Sequence, residues 1–177
     1  EDAPAGNTPG TTPTTPTKPS TPSKFAFAKT YDGRFTDVTS GNWFYGDVEK
    51  SYKLGLMNGK SDTEFAPEGT VTLAEAITVA ARIRASYYGD TITQGTGNSW
   101  YQPYVDYASR KAIITSGQYS DFTALATREQ VANMFVRALP GSWYTEMNLF
   151  KTIPDVPTSS SSFAAIQRLY NAGVVTG

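Results

Sequence analysis

The chain has 177 residues, with 16 acidic against 15 basic side chains and a formal net charge of −1. One or two compact domains fit that length, and without a basic excess neither nucleic acid nor an anionic membrane surface is an expected partner. There is no cysteine and no histidine, which excludes disulfides, zinc sites of the usual ligand types and every nucleophile–histidine arrangement. No apolar run approaches the ~20 residues of a membrane span, so membrane insertion is not expected. No signal peptide is read in a chain that begins at Glu1 rather than Met, which leaves room for a leader already removed. Tyrosine is the enriched aromatic, 11 against 9 Phe and 3 Trp. Its apolar body and polar tip suit half-buried surfaces and sugar contacts.

Residues 1–24 read as a linker. Pro4, Pro9, Pro13, Pro16, Pro19 and Pro22 are spread through Thr, Ser and Gly without apolar periodicity. Such a segment cannot bury enough surface to offset its ordering entropy. It is expected to be an extended, partly polyproline II spacer, with Thr-Pro sites open to O-glycosylation.

From Phe25 the pattern becomes globular, and it repeats. Shifted by 57 positions, Trp43, Val48 and Leu56 fall on Trp100, Val105 and Ile113. Shifted by 118, Phe35-Thr36-Asp37-Val38 falls on Ile153-Pro154-Asp155-Val156, and Gly55-Leu56-Met57-Asn58-Gly59 falls on Gly173-Val174-Val175-Thr176-Gly177. The predicted units are 25–90, 91–150 and 151–177, the last only a first half. Each begins with a short lead-in and an amphipathic helix, about Phe44 to Leu54 and about Pro103 to Lys111. A Gly/Ser/Asp-rich loop follows, and its one aromatic, Phe65 or Phe122, is expected to plug the core. Ser61-Asp62-Thr63-Glu64 in the first loop lacks the ligand pattern of a calcium loop and reads as a plain turn. A second helix closes each complete unit, about Leu73 to Ser86 and about Arg128 to Leu139. Two antiparallel helices cannot cover their own apolar faces, so the units must pack on one another.

Both second helices open on a capping box, Thr72-Leu73-Ala74-Glu75 and Thr127-Arg128-Glu129-Gln130. Behind the latter, Val131, Met134, Phe135 and Ala138 share one helix face. Arg128 is the odd member. A helix start carries partial positive charge, so a cation there is mildly unfavourable, and an anion is what the site attracts. Arg128 is either a solvated surface residue or one side of a carboxylate or phosphate site.

The motifs resemble the S-layer homology (SLH) family over residues 33–177. The resemblance is carried by Phe35-Thr36-Asp37-Val38, Trp43, Gly55-Leu56-Met57-Asn58-Gly59, Phe65-Ala66-Pro67 and the two Thr-x-x-Glu/Gln helix starts. It implies an all-α, pseudo-threefold assembly of helix-loop-helix repeats, first helices bundled centrally and second helices outside. It further implies an extracellular, non-catalytic module at the bacterial cell wall or S-layer. Such a module binds secondary cell-wall polysaccharide, typically through a pyruvylated amino sugar, in grooves between repeats, with no cofactor or metal. Carried over residue by residue, the groove residues are Arg128, Asp37, Asp155, Trp43 and Trp100. The family's arginine is replaced by Leu73 in the first unit and its aspartate by Gln94 in the second. The resemblance therefore leaves one groove with both, combining Arg128 with Asp155.

Structural readings stand beside these. Trp43 and Trp100 are packing residues or sugar platforms. Asp37 and Asp155 cap the following turn or touch ligand. Tyr87-Tyr88 and Trp143-Tyr144 are expected to pack between units. An enzyme acting on wall glycans would need two carboxylates flanking a cleft, and no such pair stands out. The alternative is a structural surface module whose grooves meet protein, either another copy of itself or another surface protein.

Overall fold

A computed structural model describes residues 24–148 and 155–175 of the chain. All but Lys24 of the expected linker lies outside the described residues, as do Ile153, Pro154, Thr176 and Gly177. The described residues form five α-helices and no β-strand. They are α1 (Tyr45–Lys53), α2 (Leu73–Tyr88), α3 (Gln102–Arg110), α4 (Arg128–Ala138) and α5 (Phe163–Asn171). The fold is all-α.

Both capping boxes form. Thr72 Oγ1 accepts from the Glu75 amide at 3.3 Å, and the Glu75 carboxylate accepts from the Thr72 amide at 2.9 Å. Thr127 and Gln130 make the same reciprocal pair at 3.1 and 2.8 Å. The 61–64 segment is a plain turn, in which Ser61 Oγ accepts from the Glu64 amide at 3.1 Å.

Packing places α2 at the centre. It is the longest helix, it packs against both α3 and α4, and α4 in turn packs against α5. Ala76, Ala80, Ala81 and Ala85 keep its surface low, and small side chains at a helix contact shorten the interaxial distance. Ile77, Ala108, Ile113, Met134 and Ala138 close the main core around it, each at most 1 % exposed. This corrects the expected arrangement of central first helices and outer second ones. The Ala-rich helix is α2, and close packing on two sides selects it for the middle. The first helix, α1, instead buries Val48 and Tyr52 in a separate aromatic cluster with Phe35 and Val38.

The loop aromatics plug as expected. Phe65 packs on Phe35 with ring centroids 5.4 Å apart, and Phe122 packs on Tyr101 at 5.2 Å. Tyr87 and Trp143 meet at 5.6 Å, and Phe25 joins them at 6.0 and 5.5 Å. This seam ties the start of the described chain to the end of α2 and the turn after α4.

Candidate functional site

The first α2 amides do not face solvent. Leu73 N–H donates to Ala124 O at 2.8 Å and Ala74 N–H to Phe122 O at 2.9 Å. Ala126 N–H returns a bond to Val71 O at 2.8 Å, around the isolated bridge between Thr72 and Leu125. The 122–126 loop therefore lies across this helix start and uses its free donors. Leu73, which stands where α4 has Arg128, is buried in the main core. An arginine there would bury its charge, so the position is apolar for packing reasons.

Beside that start runs a groove of about 540 Å³. One wall is the loop after α1, including Met57, Gly59 and Lys60; the other is α2 at Glu75, Thr78, Val79 and Arg82; Gln94 and Trp100 close the end. Arg82 is fixed by its surroundings. Its guanidinium donates to Leu56 O at 3.3 Å and to the Tyr104 hydroxyl at 3.1 Å, and lies 5.0 Å from the Tyr104 ring centroid. Lys60 pairs with the Glu75 carboxylate, which lies below the usual carboxylate range because Lys60 and the Thr72 amide outweigh its burial. Trp100 is half-buried, edge-on to Tyr101 at 5.8 Å. A Cβ on Gly95 would sit 2.6 Å from Trp100 O and 3.0 Å from Pro103 Cδ. Only glycine allows the lead-in to press this close, and that contact explains why Gly95 replaces the valine of the first unit.

Arg82 and Lys60 were not anticipated from sequence. The available signal was Arg82, set with Arg84 in the otherwise apolar stretch Val79-Ala80-Ala81-Arg82-Ile83-Arg84-Ala85.

The α4 start is open by contrast. Thr127 satisfies the Gln130 amide, while the amides of Arg128 and Glu129 have no partner among the described residues. Arg128 is exposed and makes no hydrogen bond or ion pair among them. Its neighbour Glu129 is committed elsewhere. The buried Ser162 hydroxyl donates to the Glu129 carboxylate and accepts from Asn133 Nδ2, the latter at 2.6 Å. This network joins α4 to the start of α5. Asp155 is exposed and forms no ion pair with Arg128.

Asp37 lies in neither place. Its carboxylate accepts from the Phe65 amide at 2.9 Å and from the Ala66 amide at 2.6 Å, stapling the lead-in to the loop before α2. The Phe65 amide does most to hold this carboxyl below its ordinary value, against a desolvation effect that raises it, with the Ala66 amide adding to the depression. A depressed folded-state pKa gives stability that is fully present above the unfolded value, about 3.9. It is lost as pH falls through the folded value. Asp37→Asn removes the charge while keeping one acceptor. The expected cost is about 1 kcal/mol at pH 7, shrinking as pH drops below 4. Urea melts at pH 7 and pH 3 measure this, and an equal cost at both would refute the staple's ionic character.

Trp43 is 90 % exposed and touches Phe44 at 5.4 Å. This overturns its reading as a packing residue, because the α1 aromatic cluster fills from Phe44 and Tyr45 instead.

Residues 34–77 match the family model of the S-layer homology domain. The chain is similar to the exoglucanase XynX of Acetivibrio thermocellus, 28 % identical over 59 % of this chain and 10 % of that protein. It is similar to the Surface-layer 125 kDa protein of Lysinibacillus sphaericus, 26 % identical over 61 % of this chain and 10 % of that protein. An amylopullulanase of Thermoanaerobacterium thermosulfurigenes is 35 % identical over 30 % of this chain and 3 % of its own length. The chain thus spans at most about a tenth of these relatives, and the likeness concerns a module rather than a whole protein. The likeness over residues 34–77 is to the S-layer homology domain, and together with the surface-layer relative it supports a surface-anchoring module associated with the cell wall, outside the cell.

Proposed function

We propose that the chain holds an anionic polysaccharide of the cell wall, without catalysis, at surfaces between successive helical repeats. The observation that carries this reading is the open α4 start, where the Arg128 and Glu129 amides have no partner among the described residues and the Arg128 side chain is exposed. Backbone donors at a helix start with an arginine beside them suit a carboxylate such as a pyruvyl ketal. Asp155, exposed and without an ion pair among the described residues, then accepts from sugar hydroxyls. The groove at Trp100 serves the rest of the glycan. Its rim at Val71 is hydrogen-bonded to Ala126, so groove and helix start share one edge. Trp100 supplies an aromatic face, and Arg82 and Lys60 supply positive charge. Asp37 supports the groove by holding Phe65 and Ala66, both of which line it. Trp43 is an outlying platform.

The test is co-sedimentation with cell-wall sacculi, half of them stripped of secondary polysaccharide. Sedimentation with intact sacculi alone supports the proposal; sedimentation with both, or with neither, overturns it. A second reading, contact with another surface protein or a second copy, draws on the bare Trp43 indole. Concentration-dependent mass in the absence of polysaccharide would favour that reading.

A further inference from the structure

A second concavity, of about 230 Å³, lies away from the groove and the α4 start, between the outer face of α3 and the loop that follows it. Its floor is apolar, formed by Val105 and Ile114. Its rim is polar and already oriented. Gln102 Nε2 donates to Asp106 Oδ1 at 2.8 Å, leaving the other carboxylate oxygen unused. Gln118 Oε1 accepts from the Thr115 amide at 2.9 Å, and its Nε2 donates to the Tyr119 hydroxyl at 2.9 Å. No lysine or arginine lines the pocket, and Asp106 makes no ion pair among the described residues.

We infer that this pocket binds one neutral sugar ring of a glycan, with Asp106 accepting from its hydroxyls. The volume suits a single pyranose. An apolar floor meets the C–H face of a ring, and a carboxylate flanked by fixed amides matches vicinal hydroxyls, as in small-molecule sites that combine apolar walls with a few placed polar groups. A carboxylate with no ion pair among the described residues repels an anionic sugar, so this site rejects the acidic residues that the α4 start attracts. The inference deepens the polysaccharide reading and rests on it for the biological source of the ring, while the pocket chemistry is tested separately. A glycan with alternating neutral and acidic residues would be gripped at both places, and linked sites raise the effective concentration of each other's ligand.

The test is amide-resolved NMR titration of the whole chain with glucose, galactose, mannose and N-acetylglucosamine, and with glucuronate as the acidic control. A ligand of this size is expected to bind at about 1–10 mM. The expected result is a saturable shift of the Asp106 and Thr115–Tyr119 amides with at least one neutral sugar and none with glucuronate. Asp106→Ala should weaken that binding about tenfold or more with an unchanged melting temperature, because Asp106 is exposed. Absence of saturable shifts with every neutral sugar up to 50 mM (about ten times the expected constant), or equal shifts with glucuronate, overturns the inference. Neutral-sugar shifts in a chain that fails to sediment with intact sacculi would uphold the pocket and sink the wall-anchor reading instead.

Discussion

Gly59→Ala is expected to lower the unfolding free energy by about 2–5 kcal/mol, from backbone strain and overpacking together. Gly59 has φ +85°, a region that side-chain-bearing residues rarely adopt. A Cβ there would also sit 2.5 Å from Phe35 Cε1 and 2.7 Å from Glu64 O. Neither neighbour can yield easily. Phe35 is 1 % exposed and holds the α1 aromatic cluster together, and Glu64 O already accepts from the Lys60 and Ser61 amides. Gly89→Ala separates the two costs. Its φ is +74°, but nothing lies within 4 Å of its added Cβ, so only strain remains, about 1–2 kcal/mol. Urea unfolding of both variants measures the difference. Because Gly59 also lines the groove, its loss should reach wall binding through the loop. Equal destabilisation of the two variants would mean that the Phe35 contact is soft.

What could be read from sequence was local. Thr72–Glu75 and Thr127–Gln130 announced two helix starts, because a cap and its partner lie three residues apart and need no tertiary partner. The face Val131, Met134, Phe135, Ala138 was read the same way, and Met134 and Ala138 are indeed buried. What could not be read involves distant segments. The Leu73 position looks like a lost arginine until the 122–126 loop is seen to cover it. Asp37 binds amides 28 and 29 residues away, whereas a local turn cap was the sequence alternative. The central place of α2 follows from which helix has the lowest surface over the most turns, and the repeat pattern, by treating units alike, hides that asymmetry. Trp43 and Trp100 show the same limit. They occupy matching positions, yet Trp43 is bare, while Trp100 is half-buried at the end of the groove that α2 also lines.

The asymmetry between the two helix starts leads to the sharpest functional expectation. Arg128→Ala should weaken sedimentation with intact sacculi about tenfold or more, since a charge-assisted hydrogen bond contributes about 1.5–3 kcal/mol and each ~1.4 kcal/mol is a factor of ten. Stability should not fall. Arg128 makes no hydrogen bond or ion pair among the described residues, and removing a cation from a helix start slightly favours the helix. Arg128→Lys keeps the charge but loses the planar fork, so it should recover only part of the affinity. Wild-type binding should weaken with added salt, because the contact is exposed and screened over ~10 Å at 0.1 M, and Arg128→Ala should flatten that dependence. Trp100→Ala makes the complementary cut. It removes an aromatic face without touching charge, so it should lower affinity while leaving the salt slope unchanged. Wild-type sedimentation by Arg128→Ala would show that the open α4 start is solvated rather than occupied. Binding would then belong to the groove, where Arg82 and Lys60 are the cations among the described lining residues.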